Sequence, residues 1–235
     1  MEASWSKSPV EEYRTEKSLN SVTKKIIKCK KCPRLAAYVK QVARTKVKRF
    51  SHEKYWGKPL PSFGDPNAQI LIVGLAPAAH GGNRTGRMFT GDSSGDWLAK
   101  VLFDNGLATK PISLHLNDDF RLINSYVTAA VRCAPPKNKP TKDEIATCMN
   151  YLKQELDLLI KVKVIICLGR IAFDAVCDIL DIKTKKFMHG QQIRQYPYTI
   201  LCSYHPSRQN TQTRRLQWSQ WNEIFVEAKK LIKNY

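Results

Sequence analysis

An α/β fold organised on a parallel sheet is the architecture this sequence predicts, and three observations predict it. Four short apolar runs, at residues 69–74, 126–131, 163–168 and 198–203, have the length of buried strands. Helical patterns separate them, over 96–102, 141–160 and 170–180, and a last one follows at about 217–230. This alternation is a βαβ signature, and 235 residues favour one domain with one well-buried core over two.

Residues 1–20 are polar, contain proline and lack an apolar signal core, so a mobile tail or a helix laid on the surface is expected there. Over 34–44, "RLAAYVKQVAR" sets Leu35, Tyr38, Val39 and Val42 at helical spacing. A basic segment follows, and "GKPLPSFGDPN" breaks the chain before the first strand. In "QILIVG" four consecutive apolar residues need cover on both faces of a sheet. The loop "GLAPAAHGGNRTGRMFTGDSSG" at 74–95 therefore sits at a strand's carboxyl end, where open α/β sheets bind ligands. The helix in "SSGDWLAKVLF" starts just after Asp92, with Ser93 or Ser94 as its cap and its amide ends toward that loop. Gly81 and Gly86 have the glycine spacing of a P-loop, but Arg87 and Met88 stand where Lys and Ser/Thr are needed. The G-x-G-x-x-G fingerprint is absent too, so the loop is a pocket of another kind.

Charge narrows the partner. The chain holds 39 Lys and Arg against 20 Asp and Glu, a net charge of +19 with histidines neutral, far more than solubility requires. The first 60 residues alone carry 16 basic and 5 acidic side chains. Such a surface serves a polyanion, and nucleic acid is the favoured one. No apolar run approaches the ~20 residues of a membrane span, so an intracellular protein without a membrane partner is expected, and disulfides are disfavoured there.

Seven cysteines then need another account. Cys29 and Cys32 form "CKKCP", a spacing that lets two thiolates grip one metal centre. Cys133 ends a strand and Cys148 lies on an amphipathic helix, so this second pair can face inward from two rigid elements. Zinc and an iron–sulfur cluster share four-thiolate coordination, and spacing does not choose between them. Cys167, Cys177 and Cys202 fall in apolar patterns, where a thiol serves as a small hydrophobe.

The segments "GLAPAAHGGNRTGRMFTGDSSG", "TAAVRCAPPKNKPT" and "SYHPSRQNTQT", with the four cysteines, resemble the type-5 class of uracil-DNA glycosylases of thermophilic archaea and bacteria, from about Cys29 to the last helix. The resemblance implies a three-layer α/β/α sandwich on a central four-stranded parallel sheet, a structural [4Fe-4S] cluster on Cys29, Cys32, Cys133 and Cys148, and hydrolysis of the N-glycosidic bond of deaminated bases in DNA. The class's catalytic positions fall on Asp92, Asn138 and His205, and Phe89 matches the aromatic that stacks on the flipped base. Leu75 stands where the type-4 class has glutamate, and Ala129 and Ala130 stand where relatives carry a recognition asparagine. That pattern goes with a substrate range beyond uracil, including hypoxanthine, xanthine and etheno-cytosine.

On this reading Asp92 stabilises an oxocarbenium-like sugar or orients water, the competing role being a helix cap. His205 donates a hydrogen bond as a neutral ring, and Asn138 is held by the stiff "PPKNKP" loop. Gly74, Ala76, His80 and Asn83 are assigned to the base, with glycines letting backbone pass close to it. Arg208, Gln209 and Asn210 are placed to enter or touch the helix where the base has left, and Arg214 and Arg215 to contact phosphates. Residues 1–20 become a flexible or peripheral segment open to a sliding clamp, and 21–235 one iron–sulfur glycosylase domain. The enzyme is expected as a cytoplasmic, nucleoid-associated monomer acting on double- and single-stranded DNA. The rival is a non-catalytic iron–sulfur nucleic-acid-binding protein, which needs no convergence of Asp92, Asn138 and His205.

Overall fold

The computed structural model describes residues 9–183 and 186–233, so the first eight residues of the N-terminal segment left open to a sliding clamp lie outside the described residues. The chain opens with two helices, α1 (Pro9–Ile27) and α2 (Pro33–Thr45). Leu19, Val22 and Ile26 are buried at helical spacing on α1. A boundary at residue 20 thus falls inside a helix whose inner face is packed.

The four expected strands are present as β2 (Ile70–Gly74), β3 (Ser125–Ala129), β4 (Val164–Leu168) and β6 (Tyr198–Ser203), all parallel, in the order β3-β2-β4-β6. The sheet is wider than expected. A two-residue strand β1 (Phe63–Gly64) pairs antiparallel with β3, and β5 (Gln192–Gln195) pairs antiparallel with β6, giving six strands among the described residues. Edge strands covered on one face need no apolar run, and "QIRQ" has none.

Helices cover both faces, as a three-layer sandwich requires. Ile70 and Ile72 of β2 point to one side, where α4 (Ser93–Asp104) and α8 (Trp218–Lys233) supply Leu98, Leu102, Trp221 and Phe225. Leu71 and Val73 point to the other, where α5 (Lys142–Leu158) and α6 (Arg170–Ile179) supply Leu152, Leu156, Phe173 and Val176, joined by Leu19 of α1. Cys167 and Cys202 are register partners on β4 and β6, buried with Cys177 in this second layer as core thiols. A short helix α3 (Gly82–Thr85) lies in the first loop, and α7 (Arg208–Gln212) follows β6.

This strand order positions the site. From β2 the chain moves to β3 on one side, whereas β4 and β6 build outward on the other. The crevice where that direction reverses lies outside the carboxyl ends of β2 and β4, the place where such sheets take ligands.

Candidate active site

A cavity of about 730 Å³ occupies that crevice, lined by Leu75, Ala76, Phe89, Ala129, Leu168 and His205, with Asp92 and Asn138 at its edge. A wider chamber of about 970 Å³ continues from it toward the surface, walled by Arg49, Lys54, His80 and Arg84. The two share Ala78, Asp92, Ser93, Lys137, Asn138 and Arg208, which form the passage between them. The inner chamber is mostly apolar; the outer one is more polar, its basic side chains interspersed with Glu53, Asp92 and Asp96.

Asp92 is both cap and open anion. It, and not the expected Ser93 or Ser94, is the N-cap of α4, because its Oδ1 accepts hydrogen bonds of 3.0 Å from the backbone N–H of Ser94 and of Gly95. Oδ2 makes neither bond and lies against Gly81, where a Cβ would come within 1.9 Å of it. Glycine is needed at 81 to let the carboxylate face the passage. Burial raises the Asp92 carboxyl, while the two helix N–H groups favour its anion.

His205 follows β6 and stands 5.8 Å from Phe89, ring centre to ring centre. Burial holds its imidazole down to about 4, so the ring is neutral at physiological pH and presents one N–H. Its backbone is tied locally: Asn210 Nδ2 donates to the His205 carbonyl at 2.8 Å, and the preceding Tyr204 N–H donates to His189 Nδ1 at 3.1 Å. Phe89 has φ of 49°, a left-handed backbone uncommon for an aromatic residue, which turns its ring under the chamber. Gly74 makes room for that ring, because a Cβ there would meet it at 2.7 Å.

Asn138 sits at the end of a 3-10 turn, Pro136–Asn138, in which Lys137 and Asn138 both have positive φ, 53° and 56°. Two consecutive left-handed residues behind two prolines leave the loop few alternatives. Its other end is anchored in the core. Arg132 is buried and pairs with Glu155 at 2.6 Å; it also donates to Ser62, while Thr128 donates to the same Glu155 oxygen at 2.7 Å.

The four cysteines assigned to a metal share one apolar cluster with Val22, Ile26, Leu35, Val39 and Tyr151, reaching it from the end of α1, the cap of α2, the exit of β3 and the middle of α5. All are free thiols, and the backbone N–H of Arg132 donates to Cys148 Sγ at 3.3 Å. Arg34 closes the rim with a 2.6 Å ion pair to Glu144, which also completes the capping box of α5 with Thr141. Among the described residues no three His, Cys, Asp or Glu side chains stand at ligating geometry. The donor chemistry, four neighbouring thiols with no disulfide, is that of a soft-metal or iron–sulfur site.

Several expected contacts fall elsewhere. Asn83 is fully buried and its amide donates to the Val39 and Ala79 carbonyls, away from both chambers, because a polar side chain beside α2 must satisfy backbone there. Gly74 serves Phe89 and not a ligand directly, whereas Ala76 lines the inner chamber. His80 belongs to the outer chamber, its Nδ1 3.1 Å from the Tyr55 hydroxyl. Asn210 positions the His205 segment; Arg208 and Gln209 line the mouth, with Arg208 Nε 3.3 Å from Ser93 Oγ. Arg214 and Arg215 are exposed outside both chambers, Arg215 lying 4.5 Å over the Tyr204 ring. Lys137 and Gly81 were not singled out as site residues by the sequence. Lys137 shares the signal that marked Asn138, a proline-bracketed loop, and Gly81 the density of glycine around the only acid in the first loop.

The family model of the uracil DNA glycosylase superfamily matches residues 61–228. Among curated proteins the chain is 49% identical over 209 residues to a type-5 uracil-DNA glycosylase of Thermus thermophilus, covering 86% of this chain and 93% of that one. It is 44% identical over 204 residues to the type-5 enzyme of Pyrobaculum aerophilum, covering 87% and 89%. A type-4 uracil-DNA glycosylase of Archaeoglobus fulgidus is more distant, 28% identical over 167 residues, covering 71% and 67%. With its pocket at the carboxyl ends of β2 and β4 and its first-loop carboxylate at the pocket mouth, the chain belongs to the uracil DNA glycosylase superfamily, in its type-5 branch.

Proposed function

We propose that the protein is a monofunctional DNA glycosylase that hydrolyses the N-glycosidic bond of uracil in DNA and leaves an abasic site for base excision repair. One observation carries this reading: Asp92, Asn138 and His205 come from three separate segments and line one cavity that also holds Phe89. A binding module has no need of that convergence.

The chemistry follows from the two chambers. The extruded base enters the inner one and lies on Phe89, and its sugar stays at the passage beside Asp92. As the bond from C1′ to the base nitrogen breaks, its electron pair leaves with the base and positive charge grows on the sugar. The Asp92 carboxylate opposes that charge, and Asn138 holds the attacking water, whose oxygen bonds to C1′ while its proton passes to Asp92 and out to solvent. Neutral His205 donates its N–H to the carbonyl oxygen on which the base's negative charge collects. Leu75, Ala76 and Ala129 offer this base no fixed polar partner. Stacking and fit therefore govern entry, which extends the range to hypoxanthine, xanthine and etheno-cytosine.

The four clustered thiols fit a [4Fe-4S] group, which would supply structural cross-linking of the early helices to the central layer and no step of the reaction. Protein grown with ample iron should hold about four irons per chain, lost together with stability in Cys148→Ser. Zinc in place of iron would refute the cluster. The activity is tested on oligonucleotides carrying each damaged base, in single and double strands, with and without alkali. Strand breaks seen only after alkali support a monofunctional glycosylase. No abasic site in any substrate returns the protein to the non-catalytic, nucleic-acid-binding reading.

A further inference from the structure

Between α4 and β3 the chain makes a long excursion whose ends pair at an Ala108–Leu122 bridge. Its tip carries apolar side chains in water: Ile112, Leu114 and Leu116 are 53%, 60% and 42% exposed. Three adjacent exposed aliphatic residues are unusual on a loop of a soluble chain unless something covers them.

The tip is not loose. Asp118 accepts from the backbone N–H of Leu114, His115 and Phe120, and binds the Arg87 guanidinium at 2.6 Å. Buried Arg87 also donates to Ser113 Oγ and to the Leu116 carbonyl, both at 2.8 Å, and Ser113 meets Thr90 at 2.7 Å. Arg87 and Thr90 bracket Phe89, so the segment that shapes the base pocket also fixes the direction of the apolar tip. Rigid presentation lowers the entropy lost on contact.

The place of the tip indicates its partner. Leu114 and His115 line the outer chamber, beyond the passage formed by Asp92, Asn138 and Arg208, and that chamber carries Arg49, Lys54 and Lys137 besides Glu53, which Arg84 pairs, and Asp96, which faces Arg208. An apolar point in a cleft where five Lys and Arg outnumber three carboxylates suits an apolar surface flanked by phosphates, such as the faces of bases and sugars in a distorted duplex. We propose that Leu114, supported by Ile112 and Leu116, packs into duplex DNA beside the extruded nucleotide as a second wedge, separate from Arg208 and Gln209. This rests on the glycosylase reading above. Its contribution is to hold open a helix that has lost a base, so it acts on paired DNA and not on single strands.

The test is single-turnover excision of uracil by Leu114→Ser, Leu114→Met and the unaltered protein, on a matched duplex and on the same strand alone. Leu114→Ser should slow the duplex reaction about tenfold, the scale of losing one buried leucine contact. The single-strand rate and the melting temperature should stay unchanged, and Leu114→Met should recover most of the duplex rate. A fluorescent adenine analogue next to the uracil should brighten less with Leu114→Ser, through reduced unstacking. Equal slowing on both substrates, or on neither, would overturn the wedge, as would a change in sedimentation with no change in rate, which would make the tip a protein contact. If the unaltered protein excises uracil from neither substrate, the glycosylase reading fails instead.

Discussion

Replacing Asp92 with Asn separates chemistry from capping. Oδ1 takes both helix bonds, from Ser94 and Gly95 at 3.0 Å, and an amide oxygen accepts the same pair. The amide nitrogen occupies the place of Oδ2 beside Gly81, where only glycine leaves room. Size and cap therefore survive, and one negative charge disappears from the passage. Two unit charges ~4 Å apart interact by about 4 kcal/mol at an effective dielectric of ~20. The sugar carries only part of a charge in the transition state, and on the proposed mechanism Asn138 still holds water. The expected barrier increase is thus about 1.4–3 kcal/mol, a loss of roughly tenfold to a hundredfold.

The assay is single-turnover cleavage of uracil-containing duplex, revealed with alkali, beside a thermal melt of each variant. Asp92→Ala serves as the counterpart: it loses the cap as well, worth about 1 kcal/mol. In a chain of this length that lowers the melting temperature by about 2–4 °C. Both variants should be slow, and only Asp92→Ala should melt early. An Asp92→Asn protein that cleaves as fast as its parent and melts with it would reduce Asp92 to a helix cap.

The remaining predictions use the neighbours of Asp92. Burial lowers His205 to about 4, against about 6.5 in an unfolded chain. The unfolded state then binds more protons between those values, so stability present above pH ~6.5 falls by on the order of 3 kcal/mol as pH drops to ~4. Chemical unfolding across this window should show the slope, and His205→Gln should flatten it; an equal slope in the variant would place the titration elsewhere. Gly74→Ala puts a Cβ 2.7 Å from the Phe89 ring, so the ring must move. Excision should drop about 5- to 100-fold, the range of one lost base stack, and an unchanged rate would show that Phe89 does not stack on the base. Substrate affinity should fall steeply with salt, and Arg208→Ala should lose more on a matched pair than on a mismatch already short of pairing energy. Equal losses on the two would leave Arg208 an ordinary phosphate contact.

How far the sequence reaches depends on whether a signal is local. Strands β2, β4 and β6 were legible because strands covered on both faces read as unbroken apolar runs. The start of α4 just after Asp92 was legible, but its cap was expected on Ser93 or Ser94 and falls on Asp92, since three neighbouring residues all have cap-forming side chains. β5 was not, since an edge strand takes its partners from β6 and shows no pattern of its own. The same limit applies at the site. The density of glycine marked a pocket, but only the fold shows that Gly74 yields to Phe89 and Gly81 to Asp92, two side chains and not a ligand. Asn83 looked like a site residue for standing in that loop, yet its amide serves α2. Arg87 drew notice only as a mismatch to a P-loop, because its partners Ser113, Leu116 and Asp118 lie far along the chain.

The thiol cluster and the loop that carries Asn138 are joined by one short path. From the end of β3 the chain passes through Arg132, whose side chain is locked to Glu155 and whose N–H meets Cys148, then Cys133, two prolines, and the left-handed pair Lys137 and Asn138. A buried charge that cannot leave its partner without a cost of about 3–5 kcal/mol fixes one point of this path. A cluster bound by the thiols would fix the next, and proline and backbone strain fix the remainder. Asn138 is exposed at the tip, yet Arg132, Cys133, Ala134 and Pro135, which lead to it, are all buried. On the mechanism proposed above, an exposed amide on a mobile loop would spend most of its time away from the attacking water, and excision would slow by that fraction. The same economy holds across the cleft, where buried Arg87 fixes both the turn that carries Phe89 and the apolar tip beyond it.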